Sequence, residues 1–383
     1  MRKKTSILLV VLALMQLMAC TNNGSNTTQT APATVQPGDL QVYFIDVGKG
    51  DAALIGLPGS RWVMVDTGPK EGFPEIGRTL IKHGVTHLDA IFVTHGHKDH
   101  IGGLNSVLKI AKSDCIYTIP DCLDDKEISD AKEEFGIEIK TTAAGQSIQI
   151  ADAVFDVLGP LENYEDENEN SMVLKLVYKD KRILFTADQL SRAEKGLLDS
   201  GKDLAADVLK VAYHGGAEST SAQFVKAVSP AFAVIPTDET RPAAQQTLSV
   251  LAQAGAQTSI LGDTGTLFYN GTSLIKVPVP AGEVPDVSVS EKDTKAEFVT
   301  ITNNTQQAID LTGWCLYSEK GADVYFFPSE TVLPANNSLT VYSGKMADTN
   351  QGGLVWTSKN IWSNKKDDIC LLFDASGRLV SSR

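Results

Sequence analysis

The chain has 383 residues and a formal net charge of −13 at pH 7. This length allows two domains of ordinary size once a leader is set aside, and the negative charge argues against broad electrostatic attraction to nucleic acid or anionic lipid. Any phosphate-bearing substrate is therefore expected to be recruited by local groups rather than by the overall charge.

The N-terminal segment differs in composition from the rest of the chain. Basic residues at positions 2–4 precede an apolar run over 7–18, and a small residue precedes Cys20. This order resembles a bacterial lipoprotein signal over residues 1–20, and the run is short for a transmembrane helix. We expect a lipid on Cys20 to tether the chain to the outer face of the cytoplasmic membrane; the alternative is an uncleaved anchor. The polar composition of residues 21–38 predicts a flexible tether.

Residues 39–278 alternate strand-like and helix-like patterns, which predicts a mixed α and β domain. The predicted elements, in chain order, are strands at 42–47, 53–56 and 62–65, a helix at 73–83, a strand at 88–93, helices at 101–111 and 129–135, strands within 147–158, a hairpin over 172–185, a helix at 190–198, a strand at 208–212, a helix at 221–228, a strand at 232–235, a helix at 243–254 and a hairpin signal at 267–271.

The most informative stretch follows the predicted strand at 88–93. Half of the six histidines in the chain lie within six residues there, beside one aspartate: His95, His97, Asp99 and His100. Imidazole is a common ligand for zinc-like metals, and a carboxylate adds an oxygen ligand. The spacing allows the first two histidines to face one ion and the other pair to face a second. The alternative is a solvated polar turn.

These four residues resemble the HxHxDH signature of the metallo-β-lactamase superfamily. Further segments stand in the order found in the extracellular hydrolase domain of ComEC-like competence proteins: 44–51, 65–68, 170–174, 184–188 and 209–216. The resemblance spans residues 40–278. It implies an α/β (α+β) domain with the four-layered αββα sandwich of that family.

The resemblance also implies a set of metal ligands from distant parts of the chain. The expected arrangement is His95 and His97 on one ion, Asp99, His100 and His214 on the other, and Asp188 bridging the two. The residues expected to orient these ligands are Asp51, Asp66, Asn170 and Ser171. The alternatives are that Asp188 caps the following helix and that His214 only hydrogen-bonds to backbone.

Several positions depart from the common residues of the family. Asn170 and Ser171 stand where many members have another histidine, so Asn170 or water is expected to complete the first site. Tyr213 and Arg241 stand where histidines are common, and Lys49 where Gln is common. We expect Tyr213 to donate a hydrogen bond to the reaction intermediate and Arg241 to pair with a phosphate. The same departures also allow a weakened or altered activity.

The implied chemistry is metal-assisted hydrolysis. Two divalent ions, Zn²⁺ or Mn²⁺, that share a water lower its pKa and supply a hydroxide for attack at phosphorus or at carbon. Asp99, Tyr213 and Arg241 are the candidate catalytic residues. The ComEC-like resemblance favours phosphodiesters, with DNA outside the cell among them. The alternative is a binding module whose metal site is structural.

An acidic run over residues 162–169 immediately precedes Asn170. Most charge runs are solvated loops, and this is the favoured interpretation. The alternative is a flap that repels anionic substrates or binds a cation.

The character of the chain changes after residue 278. Residues 279–286 indicate a linker, and 287–383 contain short alternating apolar stretches that predict an all-β sandwich. The runs at 301–304 and 310–314, followed by Trp362, resemble a lamin-tail domain, which has an immunoglobulin-like fold. Its tryptophans are expected in the core. Family analogy suggests attachment to DNA, wall polymer or protein, although the segment carries no basic patch.

Overall fold

A computed structural model describes residues 39–278, 283–321, 323–349, 352–365 and 367–383. The expected signal peptide, Cys20 and the tether lie outside the described residues, as do positions 279–282 of the expected linker. Among the helices that are described, none is long and apolar enough to cross a membrane.

The N-terminal portion alternates strands and helices. Its strands are β1 (Gln41–Phe44), β2 (Ala52–Leu57), β3 (Arg61–Thr67), β4 (His87–Leu88), β5 (Ala90–Val93), β6 (Lys112–Ser113), β7 (Cys115–Thr118), β8 (Glu138–Thr141), β9 (Ser147–Ile150), β10 (Ala153–Gly159), β11 (Val173–Tyr178), β12 (Lys181–Phe185), β13 (Val208–Lys210), β14 (Phe232–Ile235), β15 (Gln257–Ile260), β16 (Leu267–Tyr269) and β17 (Leu274–Lys276). Its α-helices are α1 (Phe73–Lys82), α2 (Lys98–Ile101), α3 (Leu104–Ile110), α4 (Lys126–Phe135), α5 (Ser191–Asp199), α6 (Ala222–Val228), α7 (Gln245–Gln253) and α8 (Leu261–Thr264), with 3₁₀ turns at Lys70–Gly72, Pro120–Cys122 and Ala212–Gly215.

The first sheet has the strand order β17-β16-β1-β2-β3-β5-β7-β8. β1, β2 and β3 pair antiparallel, whereas β3, β5, β7 and β8 run parallel. Every residue of β5 is buried, which agrees with its unbroken apolar sequence, because a parallel strand is covered on both faces. α1, α3 and α4 contribute Ile76, Val107 and Ile128 to the same core.

The second sheet has the order β15-β14-β13-β12-β11-β10-β9. β12 to β15 run parallel and β9 to β12 antiparallel. Leu197 of α5, Phe224 of α6 and Leu251 of α7 pack against Leu184 and Leu209 in a separate apolar cluster. Helices therefore cover one face of this sheet.

The other faces of the two sheets pack against each other. Phe92 of β5 stacks on Phe155 of β10 with ring centroids 4.9 Å apart, and Phe44 of β1 lies 6.1 Å from Phe185 of β12. Helices thus lie outside and sheets inside. The predicted four-layered αββα sandwich is confirmed.

The C-terminal portion is all β. Its strands are β18 (Val287–Asp293), β19 (Phe298–Asn303), β20 (Ile309–Asp310), β21 (Cys315–Ser318), β22 (Asp323–Phe326), β23 (Val332–Leu333), β24 (Ser338–Ser343), β25 (Leu354–Thr357), β26 (Cys370–Phe373) and β27 (Leu379–Ser382), with a 3₁₀ turn at Gly344–Thr349. They form the sheets β18-β19-β24-β25 and β22-β21-β26-β27 and a small β20-β23 pair. Trp314 and Trp362 are buried between them with Leu316 and Leu372, which confirms the sandwich and the core position of these tryptophans.

The two portions share a hydrophobic core. Tyr317 of β21 is buried against Phe73 of α1, with ring centroids 4.8 Å apart, and it belongs with Cys315 and Phe373 to the apolar cluster of the first sheet. A Cβ on Gly377 would lie 2.3 Å from the Cγ of Arg78, so the C-terminal backbone approaches α1 closely. The C-terminal sandwich is therefore packed onto the helices beside the first sheet.

The predicted helix over 101–111 is wrong in one respect. The chain forms α2 and α3 with a break at Gly102 and Gly103. A Cβ on Gly103 would lie 2.2 Å from the carbonyl oxygen of Thr67, and the Gly103 N–H donates to the Gly68 carbonyl at 3.0 Å. The two glycines thus let the loop after β5 press against the end of β3.

The shared core predicts that both portions unfold together. Tyr317→Ala should lower the free energy of unfolding by about 3 kcal/mol, the scale for truncating a buried aromatic side chain. Urea unfolding can be followed by far-UV circular dichroism, which reports the whole chain, and by fluorescence, since three of the four tryptophans lie in the C-terminal portion. The two signals should change together in both proteins.

Val355→Ala is the matched control, because Val355 is 53% exposed and its truncation should change the free energy of unfolding little. Two separate transitions, with Tyr317→Ala shifting the fluorescence signal alone, would contradict a shared core.

Candidate metal centre

The candidate site lies where strands of both sheets end. β3 ends beside Asp66, β5 runs into the loop that carries His95, and β12 and β13 lead to Asp188 and His214. These are carboxyl ends of parallel strands, the edge where open α/β sheets place their ligand sites. Residues far apart in sequence therefore meet at one place.

The first half of the site is formed by His95, His97 and Asp188. One ligand atom from each lies within 4.8 Å of the other two. His95 Nε2 is 3.1 Å from His97 Nδ1, and His95 Nδ1 is 3.2 Å from the Thr94 hydroxyl. Burial holds the pKa of His95 well below its usual value, so the ring is neutral and can act as a ligand.

The second half is formed by Asp99, His100, His214 and again Asp188. His214 Nε2 lies 3.2 Å from a carboxylate oxygen of Asp99 and 3.2 Å from Asp188 Oδ2. His100 Nε2 lies 3.3 Å from the other oxygen, Asp188 Oδ1. Asp188 therefore belongs to both halves and occupies the position expected of a bridging ligand. It does not cap the following helix, whose N-cap is Leu190.

Two buried acceptors fix the orientation of the second-half histidines. His100 Nδ1 donates to Asp66 at 2.9 Å, and His214 Nδ1 donates to the Pro236 carbonyl at 3.0 Å. Asp66 also accepts from the backbone N–H and the hydroxyl of Thr94, at 2.8 and 2.7 Å. With Nδ1 occupied, each ring must present Nε2 to the cluster.

The residues present fit a metal centre. Among the described residues, His100 Nε2, His214 Nε2 and Asp188 Oδ1 are buried side-chain atoms without a hydrogen-bonding partner. Leaving such atoms unsatisfied is costly, so each needs an explanation. Nitrogen and carboxylate ligands on one cluster are the donor set that zinc and manganese accept. These residues could hold divalent cations in two adjacent positions.

The electrostatics of the cluster also favour a cation. Burial would lower the pKa of His100, but the carboxylates of Asp188 and Asp51 raise it well above its usual value. Burial would likewise raise the pKa of Asp188, but His100 and His214 hold it far below the ordinary range. Burial would also raise the pKa of Asp99, but His214, whose Nε2 lies 3.2 Å away, and His100 and Lys49 lower it. The carboxylates therefore stay ionised inside the fold, where a divalent cation can neutralise them.

Sequence reasoning missed Lys210. Its ammonium group is buried, forms an ion pair with Asp51 and donates to the Ala187 carbonyl at 2.9 Å. Asp51 in turn lies 3.7 Å from His100 Nδ1 and 3.6 Å from His214 Nδ1. The available signal was a lysine at the end of the otherwise apolar strand β13, since a buried lysine needs a partner.

Asn170 and Ser171 have different outcomes. The Ser171 hydroxyl accepts from the Asp188 N–H at 3.3 Å, so it helps to place that ligand. The expectation that Asn170 completes the first half is wrong. Its amide oxygen accepts from the Tyr164 N–H at 2.7 Å, and its amide nitrogen donates to Asp121 and to the Tyr164 carbonyl at 2.9 and 3.0 Å. These hydrogen bonds occupy the Asn170 side chain, which closes the loop formed by the acidic run at 162–169 (the acidic loop).

Tyr213 and Arg241 contact each other beside the turn that carries His214. Tyr213 and His214 both have left-handed backbone angles, with φ of 51° and 50°, which turns one side chain inward and the other outward. Arg241 donates to the Tyr213 hydroxyl at 3.2 Å, and its guanidinium lies 5.2 Å from the ring centroid. Arg241 is exposed and Tyr213 is half-buried, so both side chains are accessible to a molecule in solution.

Comparison with known proteins agrees with this geometry. The family model of the metallo-beta-lactamase superfamily matches residues 45–237, which contain all six expected ligands. The chain belongs to the metallo-beta-lactamase superfamily. The model of the lamin tail domain matches residues 280–383.

The chain is also similar to individual proteins of known name. ComE operon protein 3 of Bacillus subtilis (strain 168) is 29% identical over 217 residues, which cover 51% of this chain and 28% of the relative. Competence protein ComA of Neisseria gonorrhoeae is 31% identical over 206 residues, covering 53% and 28%. The chain thus spans less than a third of the length of these relatives. Among solved structures, the chain is similar to the metallo-beta-lactamase fold protein YhfI from Bacillus subtilis, with 13% identity, a TM-score of 0.43 and coverage of 58% and 96%.

Lys49 stands where the family commonly has Gln, and we expect it to weaken metal binding by the second half of the cluster. Its ammonium forms an ion pair with the Asp99 oxygen that faces His214. A resident positive charge there competes with a metal ion for the same oxygen. Lys49→Gln should therefore tighten metal binding by about two- to fivefold, the range of a partly exposed ion pair. Isothermal titration of metal-free protein with Zn²⁺ measures this.

Lys98→Gln is the control, since Lys98 precedes Asp99 directly in the chain but pairs with Glu127. Unchanged or weaker binding in Lys49→Gln would show that Lys49 does not compete with the ion.

The raised pKa values of His100 and His214 predict that metal uptake releases protons. Both rings must lose their Nε2 proton to become ligands, so about two protons should leave as the site fills. Affinity should fall as the pH is lowered, because protons and metal compete for the same nitrogens. Titrations in buffers with different ionisation enthalpies count the protons. A pH-independent affinity with no proton release would contradict these charge states.

Proposed function

We propose that the chain is a surface-tethered, metal-dependent hydrolase that cleaves phosphodiesters. The superfamily and the buried cluster describe a hydrolase-like domain with a candidate metal site. The observation that carries the proposal is that four imidazoles and two carboxylates converge in one cluster. The ring nitrogen of each histidine that faces away from the cluster contacts another group of the protein. Such an arrangement is built for ions rather than for packing.

Divalent ions held by the two halves of the cluster would supply an activated water and neutralise charge that develops on the attacked group. The protein residues around them have separate tasks. Asp66 and the Pro236 carbonyl hold His100 and His214 in register. Lys210 forms an ion pair with Asp51 and so balances the charge of a buried carboxylate that lies beside His100 and His214.

Local positive charge supports a phosphate-bearing substrate. The protein is acidic as a whole, yet Lys49 is partly exposed beside Asp99 and Arg241 is exposed beside the His214 turn. Lysine and the planar guanidinium of arginine both bind phosphate oxygens. The ComEC-like relatives, one of them named a competence protein, make DNA outside the cell the first polymer to test. The N-terminal pattern around Cys20 is the basis for the proposed membrane tether.

A second candidate function is a binding module with a structural metal site. Its supporting observation is the Lys49–Asp99 ion pair, which places a cation of the protein itself inside the second half of the cluster. In that case the lamin tail domain would bind DNA, wall polymer or protein at the cell surface.

The deciding experiment compares metal-loaded wild type with the Asp99→Ala/His100→Ala variant. Substrates are bis(p-nitrophenyl) phosphate, single- and double-stranded DNA, and a β-lactam. We expect phosphodiester cleavage by wild type that chelation abolishes and that Zn²⁺ or Mn²⁺ restores. The variant should lose about a thousandfold or more, the scale seen when a catalytic unit is broken.

His87→Ala/Asp114→Ala is the matched control, because it removes a surface histidine and aspartate that lie 3.2 Å apart outside the cluster. It should retain wild-type rates. Equally poor turnover by wild type and the Asp99→Ala/His100→Ala variant would favour the binding module. Metal-dependent turnover of the β-lactam alone would retain a hydrolase and reject phosphodiesters.

A further inference from the structure

Each of the four clustered histidines has one ring nitrogen facing the cluster and the other facing a partner. Three partners are buried groups of the core: the Thr94 hydroxyl for His95, Asp66 for His100 and the Pro236 carbonyl for His214. The fourth is Glu167 of the acidic run, whose carboxylate lies 3.2 Å from His97 Nε2. We propose that Glu167 is the positioning residue of His97, and that the acidic loop exists in part to deliver it.

The geometry distinguishes an orienting role from a ligand role. His97 Nδ1 faces His95 Nε2 at 3.1 Å, and both rings belong to the group that includes Asp188. Glu167 contacts the opposite nitrogen, so His97 Nε2–H donates to the carboxylate and the lone pair of Nδ1 points to the cluster. A carboxylate that accepts from a ligand histidine fixes its tautomer and ring orientation.

The loop that carries Glu167 is anchored on both sides. The buried carboxylate of Glu169 accepts from the Arg192 and Ala193 N–H groups at 3.1 and 2.7 Å, at the start of α5. Asn170 closes the loop onto Tyr164, as described above. The favoured interpretation of residues 162–169 as a solvated loop therefore holds only in part: Glu165 and Asp166 are exposed, whereas Glu169 is a buried helix-capping residue.

Gly96, between the two histidines of the first half, leaves room for this contact. A Cβ at this position would lie 2.8 Å from Glu167 Oε1 and 2.4 Å from Asp125 Oδ2. The carboxylate of Glu167 therefore rests directly over the backbone that connects His95 to His97. Any side chain at Gly96 would push it away.

The proposal rests on the metal binding included in the proposed function. The first half offers two histidines and Asp188, because Asn170 is committed elsewhere. With few ligands, the orientation of each one has a larger effect on affinity. The side chains of His97 and Glu167 are 39% and 49% exposed, so their contact should add little to folding stability. Its effect should appear in metal binding.

The experiment titrates metal-free protein with Co²⁺, followed by visible absorption and by calorimetry. Glu167→Ala should weaken one binding event by about tenfold or more, the range for losing the partner of a ligand histidine, and should change the Co²⁺ spectrum. Glu167→Gln should retain most of the affinity, because its amide oxygen can still accept from His97 Nε2. Glu165→Ala is the control and should match wild type. Melting of the metal-free variants should be unchanged.

A double-mutant cycle tests whether Glu167 acts through His97. In a His97→Ala background, Glu167→Ala should cause no further loss of affinity. An equal loss in both backgrounds, or an equal weakening of both binding events, would overturn the proposal in favour of a general charge effect of the loop. Wild-type affinity in Glu167→Ala would overturn it as well. Wild type that binds no Co²⁺ would overturn both this inference and the proposed function, whereas two intact binding events with no effect at Glu167 would overturn this inference alone.

Discussion

The structure depends on a buried cluster of ionisable groups, in which His100 and His214 lie 3.3 and 3.2 Å from the carboxylate of Asp188. Among the described residues, Asp188 Oδ1 and the Nε2 atoms of His100 and His214 have no hydrogen-bonding partner. Burying such groups without compensation costs several kcal/mol. Lys210 balances one carboxylate of the group, Asp51. A divalent cation bound to Asp188 and to the two Nε2 atoms would satisfy them. Such binding would also account for Asp66 and the Pro236 carbonyl, which orient His100 and His214 toward the cluster.

The fold meets this requirement through strand ends and close backbone contacts. Both sheets direct their parallel strands to one edge, and Gly103 brings the histidine loop against the end of β3. The C-terminal sandwich packs against α1 and the turn before it. Tyr317 packs on Phe73 of α1 and donates weakly to the Lys70 carbonyl at 3.5 Å. The lamin tail domain is thus packed against the hydrolase-like domain through a common core.

Much of the site could be predicted because its signals are local in sequence. His95, His97 and His100 follow an apolar strand at fixed spacing, and the αββα order follows from the family resemblance. Lys210 and Glu167 could not be assigned in this way, because their roles depend on partners that only the folded chain brings near. The expectation for Asn170 failed for the same reason. Its side chain hydrogen-bonds to Tyr164 and to Asp121, and only the folded chain brings Asp121 near. Burial of Trp314 and Trp362 followed from their size and apolar character.

We propose that the cluster would hold two cations with Asp188 between them. The most direct measurement is a crystal structure of protein purified without chelators, with anomalous scattering recorded above and below the zinc and manganese edges. The account predicts two peaks about 3.5–4 Å apart, one bounded by His95, His97 and Asp188 and the other by Asp99, His100, His214 and Asp188. A map with no anomalous peak at the cluster after metal loading, or with Asp188 turned away from both histidine groups, would contradict it.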